Sequence, residues 1–149
     1  MNLTDFLDKN LILPNLAAES QQDILRELAA PVPALFPELD VDSIVQVLLE
    51  REELGSTGIG LYVAIPHGRF ACLEQSVLVV GRSEAGVDFA AIDNNPVHIF
   101  FLVLAPEAGL GTHLRLLAHI AKVVRDESFR HAFMECAGQA ELWELLRVL

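Results

Sequence analysis

Residues Val97–Ala105 form an apolar run interrupted only by His98, and no other stretch constrains the fold as strongly. The run falls far short of the ~20 residues that a membrane-spanning helix needs. Its apolar side chains do not alternate with polar ones, so a strand over Val97–Leu104 must be covered on both faces. Asp93-Asn94-Asn95-Pro96 is turn chemistry and sets the start of the strand. Such a strand sits inside a sheet that has a layer of structure on either side.

The rest of the chain supplies those layers. Further strands are predicted at Leu11–Leu13, ended by Pro14, at Leu61–Ile65, and at Ser76–Val80, closed by Gly81. Ser20–Ala29 reads as a helix with Ile24, Leu25 and Leu28 on one face. Pro31, Pro33 and Pro37 prevent it from continuing. Asp40 or Asp42 can cap the next helix, which carries Val41, Ile44, Val45 and Leu48 inward and runs to about Glu53. Gly55–Gly60 then breaks regular structure. Thr112 reads as the N-cap of a helix to about Arg125, with Leu114, Leu117, Ala118, Ala121 and Val124 facing the core. Two more helices follow, at Glu127–Cys136 and, beyond Gly138, around Leu142, Trp143, Leu145 and Leu146. Helices before and after central strands predict a single α/β domain over residues 1–149, a three-layer α/β/α sandwich on a small mixed β-sheet.

Composition narrows the partners. A chain with 52% hydrophobic and 21% charged residues is globular rather than disordered. Its formal net charge of −11 argues against binding nucleic acid and against docking on an anionic membrane leaflet. The N-terminal MNLTDFLDKNLIL has no basic region and does not read as a secretory signal. Cys72 and Cys136 lie far apart with no metal or CxxC spacing. They read as reduced thiols of a cytoplasmic protein.

Chemistry concentrates between Arg51 and Arg69. A Gly/Ser/Thr-rich loop leads into an apolar run that delivers His67 between Pro66 and Gly68. Pro66 fixes φ just before the histidine, and Gly68 leaves the backbone free just after it. The loop's backbone N–H groups and the hydroxyls of Ser56 and Thr57 suit an anion such as phosphate. Arg51 shares a helix side with Ile44, Val47 and Leu48, so it points inward to the mouth of the loop, where its fork suits phosphate. His113 falls in the first turn of a helix, where the dipole favours an anion nearby and a neutral ring. His98 reads as a satisfied, half-buried histidine at the entrance to the central strand. His119, in line with Arg115, Lys122 and Asp126, and His131, near Glu127 and Glu135, read as surface residues. No two histidines have zinc-site spacing, and neither a metal nor a cofactor is expected.

These residues resemble a known family. GSTGIG and AIPHGR, then VDFAAIDNNPVHIFFLVLAPE, then HLRLLAHIAK are similar in kind and order to the enzyme IIA domains of the bacterial phosphoenolpyruvate-dependent sugar phosphotransferase system, fructose/mannitol and nitrogen-regulatory class. The resemblance extends from about Leu11 to the C-terminus. HGR after the proline and FAAIDNNPV resemble the nitrogen-regulatory branch, as does a chain with no fused membrane or IIB segment. The resemblance implies an α/β/α sandwich. It implies that His67 is phosphorylated, that His113 is a second active-site histidine, that Arg51 lies beside the phosphoryl group, and that Ser56 and Thr57 line the site. It further implies a histidine-phosphocarrier protein as donor and no cofactor beyond the phosphoryl group that originates in phosphoenolpyruvate. The recipient would be a regulatory target or, in a sugar-transport IIA, a cysteine on a IIB domain. Leu61-Tyr62 departs from the family, which commonly has a small or polar residue followed by Gly or another small residue; Tyr62 would alter the edge of the site. An apolar rim that includes Ile59, Leu61 and Tyr62 would admit the partner.

Overall fold

The computed structural model describes residues 1–149. Six strands, β1 (Leu7–Leu13), β2 (Gly58–Gly60), β3 (Val63–Ala64), β4 (His67–Phe70), β5 (Val77–Val87) and β6 (Val97–Pro106), make one mixed sheet. The path runs β1-β5-β6-β3-β2, and β4 continues along the same edge of β6 that β3 begins. The apolar run is the middle strand, as its pattern requires. It pairs antiparallel with β5 on one side and parallel with β3 and β4 on the other.

Two helical layers cover the sheet. The helices are α1 (Gln21–Ala29), α2 (Val32–Leu35), α3 (Val41–Glu53), α4 (Leu110–Arg125), α5 (Glu127–Glu135) and α6 (Gln139–Leu146). Neighbouring residues of β5 place the layers on opposite faces. A Cβ on Gly81 would meet Leu28 of α1 at 2.7 Å, whereas Arg82 reaches the carbonyls at the end of α5. Gly81 therefore does not close β5. The strand runs through it because the missing side chain makes room for Leu16 and Leu28. Phe101 of β6 packs against Phe129 and Phe133 of α5, which anchors the second layer. No helix is long and apolar enough to cross a membrane.

Several elements differ from expectation. A one-turn helix, α2, follows Pro31 and carries Pro33 in its first turn, where a missing N–H costs nothing. Helix α4 starts two residues before Thr112, from Gly109 in a left-handed conformation, so Thr112 is not its N-cap. Its buried face is His113, Leu116, Ile120 and Val124, and Leu114 lies exposed. The stretch read as a strand over Leu61–Ile65 divides: Val63 and Ala64 form β3, whereas Leu61 and Tyr62 make the hairpin turn before it. Leu61 and Tyr62 have φ of 59° and 65° and link antiparallel β2 and β3. Paired positive φ is the geometry that Asn-Gly favours and that Leu-Tyr resists. The family's small residues at these positions thus have a backbone reason. Replacing the pair by Asn-Gly (Leu61→Asn with Tyr62→Gly) should raise unfolding free energy by about 1 kcal/mol through relief of this strain. Urea melts check it; an unchanged or lower midpoint would show that the Tyr62 ring, packed edge-on to His98 at 6.0 Å, outweighs the backbone.

Candidate functional site

The close approach of α3 to β4 builds the site. A Cβ on Gly68 would lie 2.7 Å from Val47 Cγ1, so glycine lets the helix settle on the strand. Gly68 is thus needed for contact rather than for an unusual φ. One helical turn beyond Val47, Arg51 meets His67, the first residue of β4. Its Nε donates to His67 Nε2 at 3.3 Å, and its Nη1 donates to the Gly55 carbonyl at 2.8 Å.

The opposite end of the imidazole is also held. His67 Nδ1 lies 2.8 Å from the Ile65 carbonyl, which can only accept, so the proton sits on Nδ1 and the lone pair on Nε2. Burial pushes the His67 pKa below its ordinary value near 6.5, and the Arg51 charge lowers it further. The Ile65 hydrogen bond and the Glu52 charge oppose that shift. The result is a half-buried ring that favours the neutral form.

His113 comes from the other helical layer, at the start of α4, and its ring centroid stands 5.7 Å from that of His67. It is 5% exposed. Its pKa is lowered chiefly by burial, then by the neighbouring His67 and Arg69. His113 Nδ1 is buried without a partner, which leaves Nε2 as the nitrogen able to donate outward.

Ser56 and Thr57 lie in the same loop, but their hydroxyls are engaged inside the protein. Ser56 Oγ donates to the Phe89 carbonyl and accepts from the Gly58 N–H. Buried Thr57 donates through both its N–H and its hydroxyl to the Glu52 carboxylate. The anion that this loop already cradles is therefore Glu52, and the two hydroxyls hold the loop in shape. Glu52 was not singled out by the sequence; its only signal is adjacency to Arg51.

The remaining histidines separate. His98 Nδ1 lies 2.8 Å from the Ser83 carbonyl, a satisfied half-buried ring. His131 is exposed, 3.6 Å from Glu127. His119 is not on the surface as expected: it is half-buried, and its Nε2 is sealed without a partner. Leu61 and Tyr62 do not rim the site either. They line a cleft of about 410 Å³ with His98, Ile99 and Met134. The Tyr62 carbonyl accepts from His98 and Ile99, whereas His67 pairs with Val103, which is about 17 Å farther along β6 at the usual strand rise. Exposed apolar residues near the site residues in sequence are Leu54, three positions after Arg51, and Leu110 and Leu114, on either side of His113 in α4; they are 84%, 47% and 54% exposed.

A mixed sheet that presents a neutral, tautomer-locked histidine beside an arginine and a second histidine is suited to carrying a phosphoryl group. The comparisons agree with this class. The family model of the phosphoenolpyruvate-dependent sugar phosphotransferase system, EIIA 2, matches residues 5–148, and the chain belongs to that family. It is 40% identical over 127 residues to a nitrogen regulatory protein of Bradyrhizobium diazoefficiens, with 85% of this chain and 82% of that one aligned. The crystal structure of nitrogen regulatory protein IIA-Ntr from Neisseria meningitidis superposes with a TM-score of 0.89 at 31% identity, covering 95% of this chain and 97% of that one. Enzyme IIA for mannitol from Escherichia coli, in its complex with phosphorylated enzyme IIB, shares the fold, with a TM-score of 0.76 at 19% identity over 97% of this chain and 100% of that one. The protein is thus an enzyme IIA phosphocarrier domain that most resembles the nitrogen-regulatory branch.

Proposed function

We propose that the protein accepts a phosphoryl group onto Nε2 of His67 from the phosphohistidine of a small carrier protein and serves as a nitrogen-regulatory-type signalling protein. One observation carries this reading: the Nδ1–H of His67 is held on the Ile65 carbonyl, so the Nε2 lone pair faces Arg51. That lone pair attacks phosphorus in line. The P–N bond to the donor breaks, and its electron pair stays on the donor ring. No proton leaves His67, whose Nδ1–H persists while the ring gains positive character. The Arg51 guanidinium moves from Nε2 to the phosphoryl oxygens, and His113 Nε2–H donates to another; electrostatic positioning of this kind carries most of phosphoryl transfer. The loop with Ser56 and Thr57 holds Arg51 and His67 in place from behind. Exposed Leu54, Leu110 and Leu114 suit close docking of a carrier protein. No metal or further cofactor has a role in the scheme.

Phosphorylation adds close to two negative charges to this surface, which is enough to change what binds there. The phosphorylated and free forms would thereby address different regulatory proteins. The alternative is a sugar-transport role, with the phosphoryl group passed to a IIB cysteine, as the mannitol IIA complex with phosphorylated IIB suggests for its own system. The test is incubation with phosphoenolpyruvate, enzyme I and a histidine phosphocarrier. An acid-labile phosphate on His67 is expected, and its absence overturns the reading. Adding IIB domains should leave the label in place; a rapid chase onto a IIB cysteine favours transport.

The lowered pKa gives a pH prediction. In an NMR titration, the His67 ring should change charge with a midpoint below 6.5, so the nucleophile stays neutral throughout the neutral range. The unfolded chain protonates first on acidification, so stability falls as pH drops from about 6.5 towards the native value. A His67 midpoint at or above 6.5 would contradict the burial that we assign to it.

A further inference from the structure

We propose that Glu52 is a positioning residue for the phospho-acceptor and controls the tautomer of His67 through Thr57 and Ile65. The inference rests on the reading of His67 as the acceptor. Three linked contacts carry it. The Glu52 carboxylate accepts from the Thr57 hydroxyl at 2.7 Å and from the Thr57 N–H at 3.0 Å. The Thr57 carbonyl accepts from the Ile65 N–H at 3.0 Å. The Ile65 carbonyl then accepts from His67 Nδ1–H at 2.8 Å. Consecutive residues in the last turn of α3 therefore act on opposite ends of one imidazole: Arg51 directly on Nε2, Glu52 at a distance on Nδ1.

The loop needs this anchor. Gly55 adopts a φ of 144°, and residues 55–57 form no regular structure before β2 begins. Nothing in their local preference fixes where the Thr57 carbonyl points. Thr57 is 4% exposed, so its N–H and hydroxyl must find acceptors within the protein. A carboxylate takes both with charge-assisted bonds, which are stronger than neutral ones. Once Thr57 is held, Ile65 is held, and the Ile65 carbonyl faces the ring. Release of Glu52 frees the loop to shift, and the Nδ1–H then loses a fixed acceptor. The proton can migrate to Nε2, where it occupies the lone pair that must attack phosphorus.

The experiment compares wild type, Glu52→Ala and the milder Thr57→Val by 15N spectra of the histidine rings and by the rate of phosphoryl uptake from the carrier. Wild type should show a single Nδ1–H tautomer at His67. Glu52→Ala should show both tautomers and an uptake rate down about tenfold, as expected for a misplaced reacting group. Thr57→Val retains the N–H contact and should move the same two readouts in the same direction by less. If Glu52→Ala does not fold, Thr57→Val alone decides. A purely structural role would reduce stability without altering the tautomer of the folded protein. Wild-type tautomer and wild-type uptake in a folded variant overturn the proposal. A wild-type protein that takes up no phosphoryl group, in combination with a shifted tautomer in Glu52→Ala, would overturn the acceptor reading and leave the positioning role standing.

Discussion

His67→Ala should take up no phosphoryl group from the phosphoenolpyruvate-charged carrier, to the limit of detection, while His113→Ala should still be labelled, at His67, about 10²-fold more slowly. The two histidines stand close enough for either to be suspected, with ring centroids 5.7 Å apart. Their hydrogen bonding separates them. His67 has its proton held by a carbonyl and its lone pair turned to a guanidinium. His113 has a buried Nδ1 with no partner, so no contact fixes a lone pair outward. The first arrangement is that of a nucleophile, and the second is that of a donor. Both variants remove a whole imidazole from neighbouring positions, so a general loosening would slow them alike. Label on His67→Ala, or label lost only from His113→Ala, would exchange the two roles. Intact mass with peptide mapping at alkaline pH reads the result before phosphohistidine hydrolyses.

Much of this site could be read from the chain because its residues occupy positions with few alternatives. Val97–Ala105 can only be a covered strand, and the Pro66-His67-Gly68 setting is a poor place for a merely structural histidine. What escaped was set by contacts between distant segments. Gly81 reads as a strand end because glycine usually weakens strands; the side chains of Leu16 and Leu28, from elsewhere in the chain, make it a packing position. The inward face of α4 differs from its apolar pattern because a histidine takes a core position. With His113 buried, Leu116, Ile120 and Val124 complete the face, and Leu114 is left outside. Ser56 and Thr57 have the composition of a phosphate loop, but composition cannot reveal that a neighbouring carboxylate already occupies the donors. The Leu61-Tyr62 turn escaped for the opposite reason, since two apolar residues, one of them a strand-favouring tyrosine, carry no turn signal and only the hairpin forces them into the left-handed region.

Arg82 illustrates the limit most clearly and carries the largest expected loss of stability. It lies just past Gly81, where the sequence pattern ends the strand, and it is 2% exposed with no carboxylate partner. Its guanidinium is solvated by backbone carbonyls. Nη1 donates to Phe133, Met134 and Cys136 at 3.1, 3.3 and 2.6 Å, and Nε donates to Pro14 at 3.1 Å. The first three lie at the C-terminal end of α5, where carbonyls lack helical partners and the dipole is negative. One side chain thereby ties the end of α5 and the exit of β1 to the centre of the sheet. Arg82→Met keeps most of the volume but takes the donor from the part-buried carbonyls of Pro14, Met134 and Cys136, while Phe133 keeps only the Cys136 N–H at 3.4 Å. Removal of a buried charge can recover its desolvation cost, but the stranded acceptors remain, so the net loss should be about 3 kcal/mol. Arg82→Lys retains charge without the fork and should fall between the two. Urea unfolding at constant m-value measures both. A methionine variant as stable as wild type would mean that the α5 carbonyls find other donors, and the clamp assigned to Arg82 would then be withdrawn.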